Sequence, residues 1–285
     1  MKSEKILWAE HQKIKQSGLV TLEWLSNLEK IQSIPTDYGA LWKNFLQYPP
    51  VQQTMFMNSQ GELMRHQIAL VKSVIPQHIH ASSLKESDVG NPPTVMVDDI
   101  KTSHNTIHHN YHIARYIKTM GIDAWTSCDS FVEWGGGYGN FARIVRSINP
   151  GSTYSIIDLP LFSMIQYRYL SEIFGQESVV VVEPGQPISK GKINIVPSTY
   201  WEEVSLEGIM CVSTWALSES PKTVQEKVFA KGLFGSKKGL FSFHQCGYHI
   251  PFMDESIFLK DHLSSKEFQI EDVKVIPGIN FYAFK

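Results

Sequence analysis

Between residues 131 and 145 the chain reads FVEWGGGYGNFARIV, a strand-like run that passes through a glycine cluster into a helical apolar pattern. Gly135, Gly137 and Gly139 permit a sharp turn and let a ligand approach the backbone. The helix that follows would offer its free N–H groups to that ligand. A nicotinamide-dinucleotide fingerprint requires G-x-G-x-x-G. Counted from Gly135, its third glycine would fall where this chain has Asn140. The form present is E-x-G-x-G-x-G, with Glu133 two residues ahead of the first glycine. That acid would repel a pyrophosphate and attract a cation, so the spacing suits the ammonium-bearing tail of a methionine. The competing reading is a tight structural turn.

Asp158 ends the next strand-like run, TYSIID. An acid at that place accepts hydrogen bonds from both hydroxyls of a ribose; capping the helix that starts at Leu159 is the alternative. Glu133 and Asp158 would then bracket a nucleoside. The loop residues Gly135, Gly136, Gly137, Tyr138 and Gly139, together with Leu159, are the further expected cofactor contacts. Ser213 and Thr214 end the run EGIMCVST, at the strand edge that lines the ligand crevice of open α/β sheets. Ser213 is expected at the methionine end of the cofactor, or bonded to nearby backbone. Trp215 could stack on a sugar or on adenine, or pack locally.

Activating a hydroxyl to attack a ligand bound in such a crevice needs a base, and histidine suits that role near neutral pH. His244 ends GLFSFHQ on the same edge and is the first candidate; a buried histidine satisfied by backbone is the alternative. His104, His108 and His112 recur every fourth residue and would share one helix face, with His109 adjacent. His108 or His112 is the second candidate. One helix rarely supplies three ligands to an ion and no acidic partner is near, so no metal is expected.

The elements that must position these groups alternate. Strand patterns at SFVEW, TYSIID, SVVVV, KINIV, EGIMCVST and GLFSFHQ are interleaved with helical ones, which implies a mostly parallel sheet covered on both faces. FQIEDVKVI and INFYAFK are joined too tightly for a crossover and should form an antiparallel hairpin at the edge. The expected fold is α/β, a Rossmann-like, doubly wound, seven-stranded sheet with that C-terminal hairpin. Most dinucleotide-binding sheets lack such a hairpin. Residues 1–100 read as a helical cap and residues 101–285 as the cofactor-binding domain. In the cap, Trp24, Leu25, Leu28 and Ile31 form one helical stripe before Pro35. Leu41, Trp42, Phe45 and Leu46 form another before Pro49 and Pro50, and Ser59 with Glu62 suggests a capping box. Residues 82–94 read as a long loop. The cap could close the crevice or form a homodimer.

Bulk properties narrow the class. The chain has 285 residues, 42% hydrophobic and 19% charged, with a formal net charge of -2. No basic run offers a phosphate-tracking surface, so nucleic acid is not an expected partner. The N-terminus is too polar for a secretory signal, and no apolar run approaches the ~18 residues that span a bilayer. Cys128, Cys211 and Cys246 show no CxxC spacing; buried, inert thiols in a reducing, cytoplasmic compartment are expected.

The segments EWGGGYGNFAR, YSIIDLPLFSMIQYRYLSEIFG and STWALSES resemble the sugar O-methyltransferases of bacterial polysaccharide clusters. The resemblance runs from about residue 91 to the C-terminus and implies the class I methyltransferase fold. It also implies that Glu133, Gly135, Gly137 and Asp158 bind S-adenosylmethionine (SAM), and Glu219 matches the acid after the fourth strand. Ahead of that acid the family has small polar residues where this chain has Trp215, Ala216 and Leu217, a departure that bears on the acceptor. The expected activity is SAM-dependent O-methylation of a sugar hydroxyl in surface-polysaccharide biosynthesis, with a nucleotide sugar, glycan or other small molecule as acceptor. The alternatives are a non-sugar acceptor, or a methyltransferase-like binding module without catalysis.

Overall fold

The alternating patterns after residue 130 form one eight-stranded sheet in the computed structural model, which describes residues 2–14, 17–18, 20–57, 61–246, 254–273 and 279–285. Six helices open the chain: α1 (Lys2–Lys13), α2 (Leu22–Ile31), α3 (Ala40–Lys43), α4 (Pro49–Met55), α5 (Gly61–Val74) and α6 (Gln77–Ser83). A small hairpin follows, β1 (Thr94–Val97) with β2 (Ile100–Ser103), and then α7 (His104–Met120) and α8 (Ile122–Thr126). The repeating part comprises β3 (Ser130–Trp134), α9 (Asn140–Ile148), β4 (Thr153–Asp158), α10 (Pro160–Phe174), β5 (Val179–Val181), β6 (Ile193–Pro197) and β7 (Met210–Thr214). It ends with α11 (Lys222–Ala230), β8 (Lys238–Cys246), α12 (Asp254–Ser265), β9 (Gln269–Asp272) and β10 (Ile279–Phe284).

The strand order is β5-β6-β4-β3-β7-β8-β10-β9. All pairs from β5 to β8 are parallel, and β10 runs antiparallel between β8 and β9. The edge hairpin is therefore as its tight connection implies. The sheet has eight strands, one for each strand pattern read along the chain, SVVVV included, rather than the seven of the expected fold. Of SVVVV only β5, a three-residue edge strand, is formed, and it pairs with β6 alone. No helix crosses between β5 and β6. Instead the Asn194 side chain pins the returning loop, accepting from Ser189 N at 2.7 Å and donating to Ser189 O at 3.0 Å.

Side chains alternate across the sheet with the pleat. Phe131 enters one apolar cluster, while Val132 and Trp134 enter the other. Burial on both faces is what a parallel sheet requires. The first cluster also takes in Leu7, Leu28, Ile31, Trp42, Phe45, Val51 and Val71, so the cap helices share the core of the sheet. Both apolar stripes read from the sequence fall on helix or 3-10 turns that bury Leu28, Ile31, Trp42, Phe45 and Leu46. Ser59 of the expected capping box lies outside the described residues. The loop read over residues 82–94 runs between α6, which ends at Ser83, and β1, which begins at Thr94; the β1–β2 hairpin beyond it was not read from the sequence, and Asp98, with φ +52°, opens its two-residue turn. Among the described residues no helix is long and apolar enough to cross a membrane.

One buried ion pair ties these parts together. Arg143 of α9 lies 3.1 Å from Glu86, which precedes β1, and both side chains are almost wholly buried. Glu86 also accepts from Ser103 Oγ and Thr106 Oγ1, and Arg143 donates to Asn140 Oδ1, Lys85 O and Thr106 Oγ1. Asn140 thereby anchors the helix that leaves the glycine loop. Removing one member of a buried pair strands the other charge. Arg143→Met should cost ~3–5 kcal/mol in urea unfolding, and adding Glu86→Gln should recover part of that loss. A double variant less stable than Arg143→Met would contradict this view.

Candidate active site

The parallel strands β3, β4 and β7 end on a common cavity of about 390 Å³. Its walls come from the glycine loop, the ends of β4, β7 and β8, the first turns of α7, and residues 53–57 of the cap. The loop reaches this place because of its glycines. Gly135 has φ +77°, and a Cβ there would lie 2.0 Å from Cβ of Ala216. The strand-end turn at Ala216 and the loop therefore approach more closely than any side chain at position 135 allows. Gly136, Gly137 and Tyr138 line the cavity. Gly139 is absent from its walls; it caps α9 in a left-handed conformation, packed against Leu170. The cap reaches over the loop where Phe56 stacks on Tyr138 at 5.5 Å, and Met57 N donates to Asn105 Oδ1 at 3.3 Å.

Glu133 and Asp158 both face this cavity. Burial pushes the Glu133 carboxyl from 4.5 up to about 8; the Tyr154 hydroxyl, donating at 3.0 Å, opposes the shift, and the nearby Asp158 adds to it. Burial likewise pushes Asp158 up to about 7, against donors from Leu159 N at 2.7 Å, Gln166 Nε2 at 2.7 Å and Gly137 N at 3.1 Å. Helix α10 is capped at Leu159 with Pro160 in its first turn, so Asp158 is not its N-cap residue. Two desolvated acids side by side favour a ligand that brings a positive charge to one and hydroxyl donors to the other. The residues present therefore fit the ammonium and ribose groups of SAM.

On the far wall, His244 Nε2 stands 3.3 Å from Glu219 Oε1, a charge contact without hydrogen-bond alignment. Both side chains line the cavity. Asn280 pairs with His244 across β8 and β10 at a register shift, and it lines the cavity too. Such irregularities re-aim side chains next to sites. Trp215 lies between the loop and this pair with φ +75°, a conformation a bulky residue adopts only under constraint. Its N–H donates to Ser242 O at 2.7 Å. The His244 ring stacks on its indole at 5.4 Å and the His108 ring at 6.4 Å. The indole packs with these two rings and also lines the cavity.

The histidine face of α7 behaves differently from a set of bases. Burial pushes His108 and His109 down to about 3 and His112 well below its ordinary value. His108 and His109 line the cavity. His108 Nδ1 is 2.9 Å from Gln67 Nε2, and His109 Nδ1 is 3.0 Å from Asn140 Nδ2. His112 is absent from the walls and meets the Tyr282 hydroxyl at 2.7 Å. Neutral imidazoles with such depressed basicity are weak proton acceptors near pH 7. Among the described residues no three His, Cys, Asp or Glu side chains are grouped to hold a metal. Ser213 is absent from the walls as well; its hydroxyl donates to Trp134 O at 3.0 Å and accepts from Leu217 N at 3.1 Å, shaping the turn after β7. Leu159 lines the cavity beside Asp158. Cys128 and Cys211 are buried and free; the Cys246 side chain lies outside the described residues.

Sequence reasoning overlooked Tyr154, Gln166, Asn280 and the cap residues Met55, Phe56 and Met57. For Gln166 a signal existed. It falls four residues from both Phe162 and Leu170 on an apolar helix face, and a polar group there must find a partner.

The sequence matches no protein-family model and no curated protein. Among solved structures the chain is similar to mitomycin 7-O-methyltransferase, with 10% identity and a TM-score of 0.39 over 62% of this chain and 56% of that one. It is similar to human N-acetylserotonin methyltransferase in complex with SAM, with 12% identity and a TM-score of 0.36 over 62% and 55%. A third is magnesium protoporphyrin IX methyltransferase from Synechocystis PCC 6803 with bound SAH, with 8% identity and a TM-score of 0.43 over 62% and 81%. The matched region spans little more than half the length of the first two chains. The fold class stands on the strand order and the antiparallel β10 described above.

The raised acids carry a stability consequence. Unfolded, Glu133 ionises near 4.5; folded, it holds its proton to about pH 8. Its contribution is complete below pH 4.5 and is lost as pH rises through 8. Without ligand, the Tm of Glu133→Gln relative to wild type should therefore climb between pH 5.5 and 8.5. A difference that is flat or falls across that range, measured by scanning calorimetry, would count against the buried acid.

Proposed function

We propose that the chain binds SAM in this cavity and transfers its methyl group to a hydroxyl. The observation that carries the reading is the pair of buried carboxyls, Glu133 and Asp158, at the ends of adjacent strands and facing one cavity. Glu133 is suited to the cationic amino-acid end and Asp158 to the ribose hydroxyls. Helix α9, entered through Gly139, starts directly behind the loop. Bound SAM supplies an electrophilic methyl carbon on a sulfonium sulfur.

His244 is the proposed base. Its Nε2 faces Glu219, which leaves Nδ1 to take the proton of the acceptor hydroxyl. Relieved of that proton, the hydroxyl oxygen would be the nucleophile for the methyl group that SAM would supply, the former carbon–sulfur bonding pair remaining on sulfur. Glu219, beside Nε2, stabilises by its charge the imidazolium that results. Trp215 holds the ring in place by stacking. The cap residues Met55, Phe56 and Met57, with Tyr138, would exclude water from the transfer.

The acceptor is proposed to be a sugar hydroxyl, in keeping with the sequence resemblance and a role in surface-polysaccharide biosynthesis. A second reading, a non-sugar small molecule, is favoured by the thioether and aromatic side chains that the cap adds to the wall. A panel of nucleotide sugars, methyl glycosides and phenols assayed with methyl-labelled SAM separates the two.

Calorimetry tests the cofactor directly. Wild type should bind SAM and S-adenosylhomocysteine (SAH), and Asp158→Ala should weaken SAH by roughly tenfold or more, as loss of hydrogen bonds to a charged group implies. No heat with either ligand sinks the reading. With a competent acceptor, His244→Gln should lower kcat by ~10²–10⁴-fold while SAH binding is kept. Turnover unchanged by that variant would remove His244 as the base. A chain that binds SAH but methylates nothing in the panel would be a binding module.

A further inference from the structure

We propose that Gln166 is a positioning residue of the cofactor site, whose side-chain amide locks the Asp158 carboxylate to the glycine loop in the orientation a ribose requires. The inference rests on the SAM reading above, and it concerns a residue that touches neither the cavity nor the proposed reacting atoms.

Gln166 lies on α10, fully buried, on the face that also carries Phe162 and Leu170. Its Nε2 donates to Asp158 Oδ2 at 2.7 Å and to the Gly137 carbonyl at 2.9 Å. The Gly137 carbonyl can only accept, so the orientation of the amide is determined by chemistry, and the second N–H of the same nitrogen meets Asp158 Oδ2. Gly137 N–H donates back to Asp158 Oδ2 at 3.1 Å. Three groups from three elements therefore close a ring of hydrogen bonds, made by the end of β4, the glycine loop and α10. Leu159 N takes one acceptor site on Oδ1 at 2.7 Å. A carboxylate oxygen has about two such sites, so Gln166 and Gly137 together occupy those of Oδ2 and hold that oxygen toward the loop.

The arrangement is poor as simple packing. Gln166 Oε1 is buried with no hydrogen-bond partner. An orphaned buried acceptor costs stability, and a leucine or methionine on this apolar helix face would avoid the cost. What the amide contributes is two donors aimed at two acceptors on either side of the ligand's approach. Gly137 belongs to the loop that lines the cavity, so a shift of Asp158 would also release the loop.

SAH is the probe, measured by calorimetry between pH 5.5 and 8.5 on wild type, Gln166→Leu and Gln166→Glu, with Tm recorded for each. Gln166→Leu should bind SAH roughly tenfold or more weakly at every pH, with a Tm at or above that of wild type. Gln166→Glu sets a carboxylate against two acceptors. It should bind at least roughly tenfold more weakly than wild type at pH 8.5 and approach wild type at pH 5.5, where a protonated acid donates one bond. Simple packing predicts no such pH-dependent recovery. Both variants within twofold of wild type at all pH values would overturn the proposal. So would a pH-independent loss in Gln166→Glu accompanied by a fallen Tm. If wild type itself does not bind SAH, the SAM reading fails and this inference fails with it.

Discussion

Two carboxyl groups, Glu133 and Asp158, stand at the ends of adjacent parallel strands with almost no water around them. Left alone, such groups keep their protons or find partners. Much of the surrounding structure supplies those partners. Tyr154 donates to Glu133, while Leu159, Gly137 and Gln166 donate to Asp158. The donors only partly offset burial, and both acids remain raised. A ligand that brings a cation and a diol would complete the environment. The cost of burying the two acids and the proposed specificity for SAM thus have one origin.

The opposite wall is organised around a strained tryptophan. Trp215 occupies a left-handed conformation because the turn after β7 must pass close to Gly135, with its N–H on β8 and the Ser213 hydroxyl bracing Leu217. Local strain of this kind persists only where neighbours over-determine it. Here the neighbours are the rings of His108 and His244. The two histidines meet the same indole in different surroundings. His108 is wholly enclosed and held neutral, whereas His244 retains partial exposure and a carboxylate beside it. Two residues of one type in the sequence thus differ in burial and in their charged neighbours.

The N-terminal helices bear on both walls. They share the core of the sheet through Leu28, Trp42 and Phe45, and they reach the cavity through residues 53–57. Phe56 on Tyr138 couples the cap to the glycine loop itself. The buried Glu86–Arg143 pair couples the segment before β1 to α9. Asn140, the residue that departs from a dinucleotide fingerprint, belongs to that network and also contacts His109. Its identity therefore matters for how α7 and α9 pack, apart from any role in distinguishing ligands.

Local chemistry was legible in the residues alone. The strand–loop–helix around Glu133 follows from glycine's access to positive φ, the sheet from period-two and period-3.6 alternation, and the edge hairpin from the short connection between its strands. Each depends on neighbours a few positions away, so a linear pattern contains it. The β1–β2 hairpin, the depressed basicity of His108 and His112, the turn-building use of the Ser213 hydroxyl and the contacts of Gln166 do not belong to that kind. An imidazole is held neutral well below its ordinary range only when distant helices exclude water. Ser213 and Gln166 direct their hydrogen bonds to whatever the fold brings near, which spacing along the chain does not encode. The sequence by itself determined the sheet and a loop shaped for a small ligand with a positive charge. The tertiary structure decided which side chains meet at that loop and which protons they hold, because desolvation and hydrogen-bond geometry are set by all the atoms around a group.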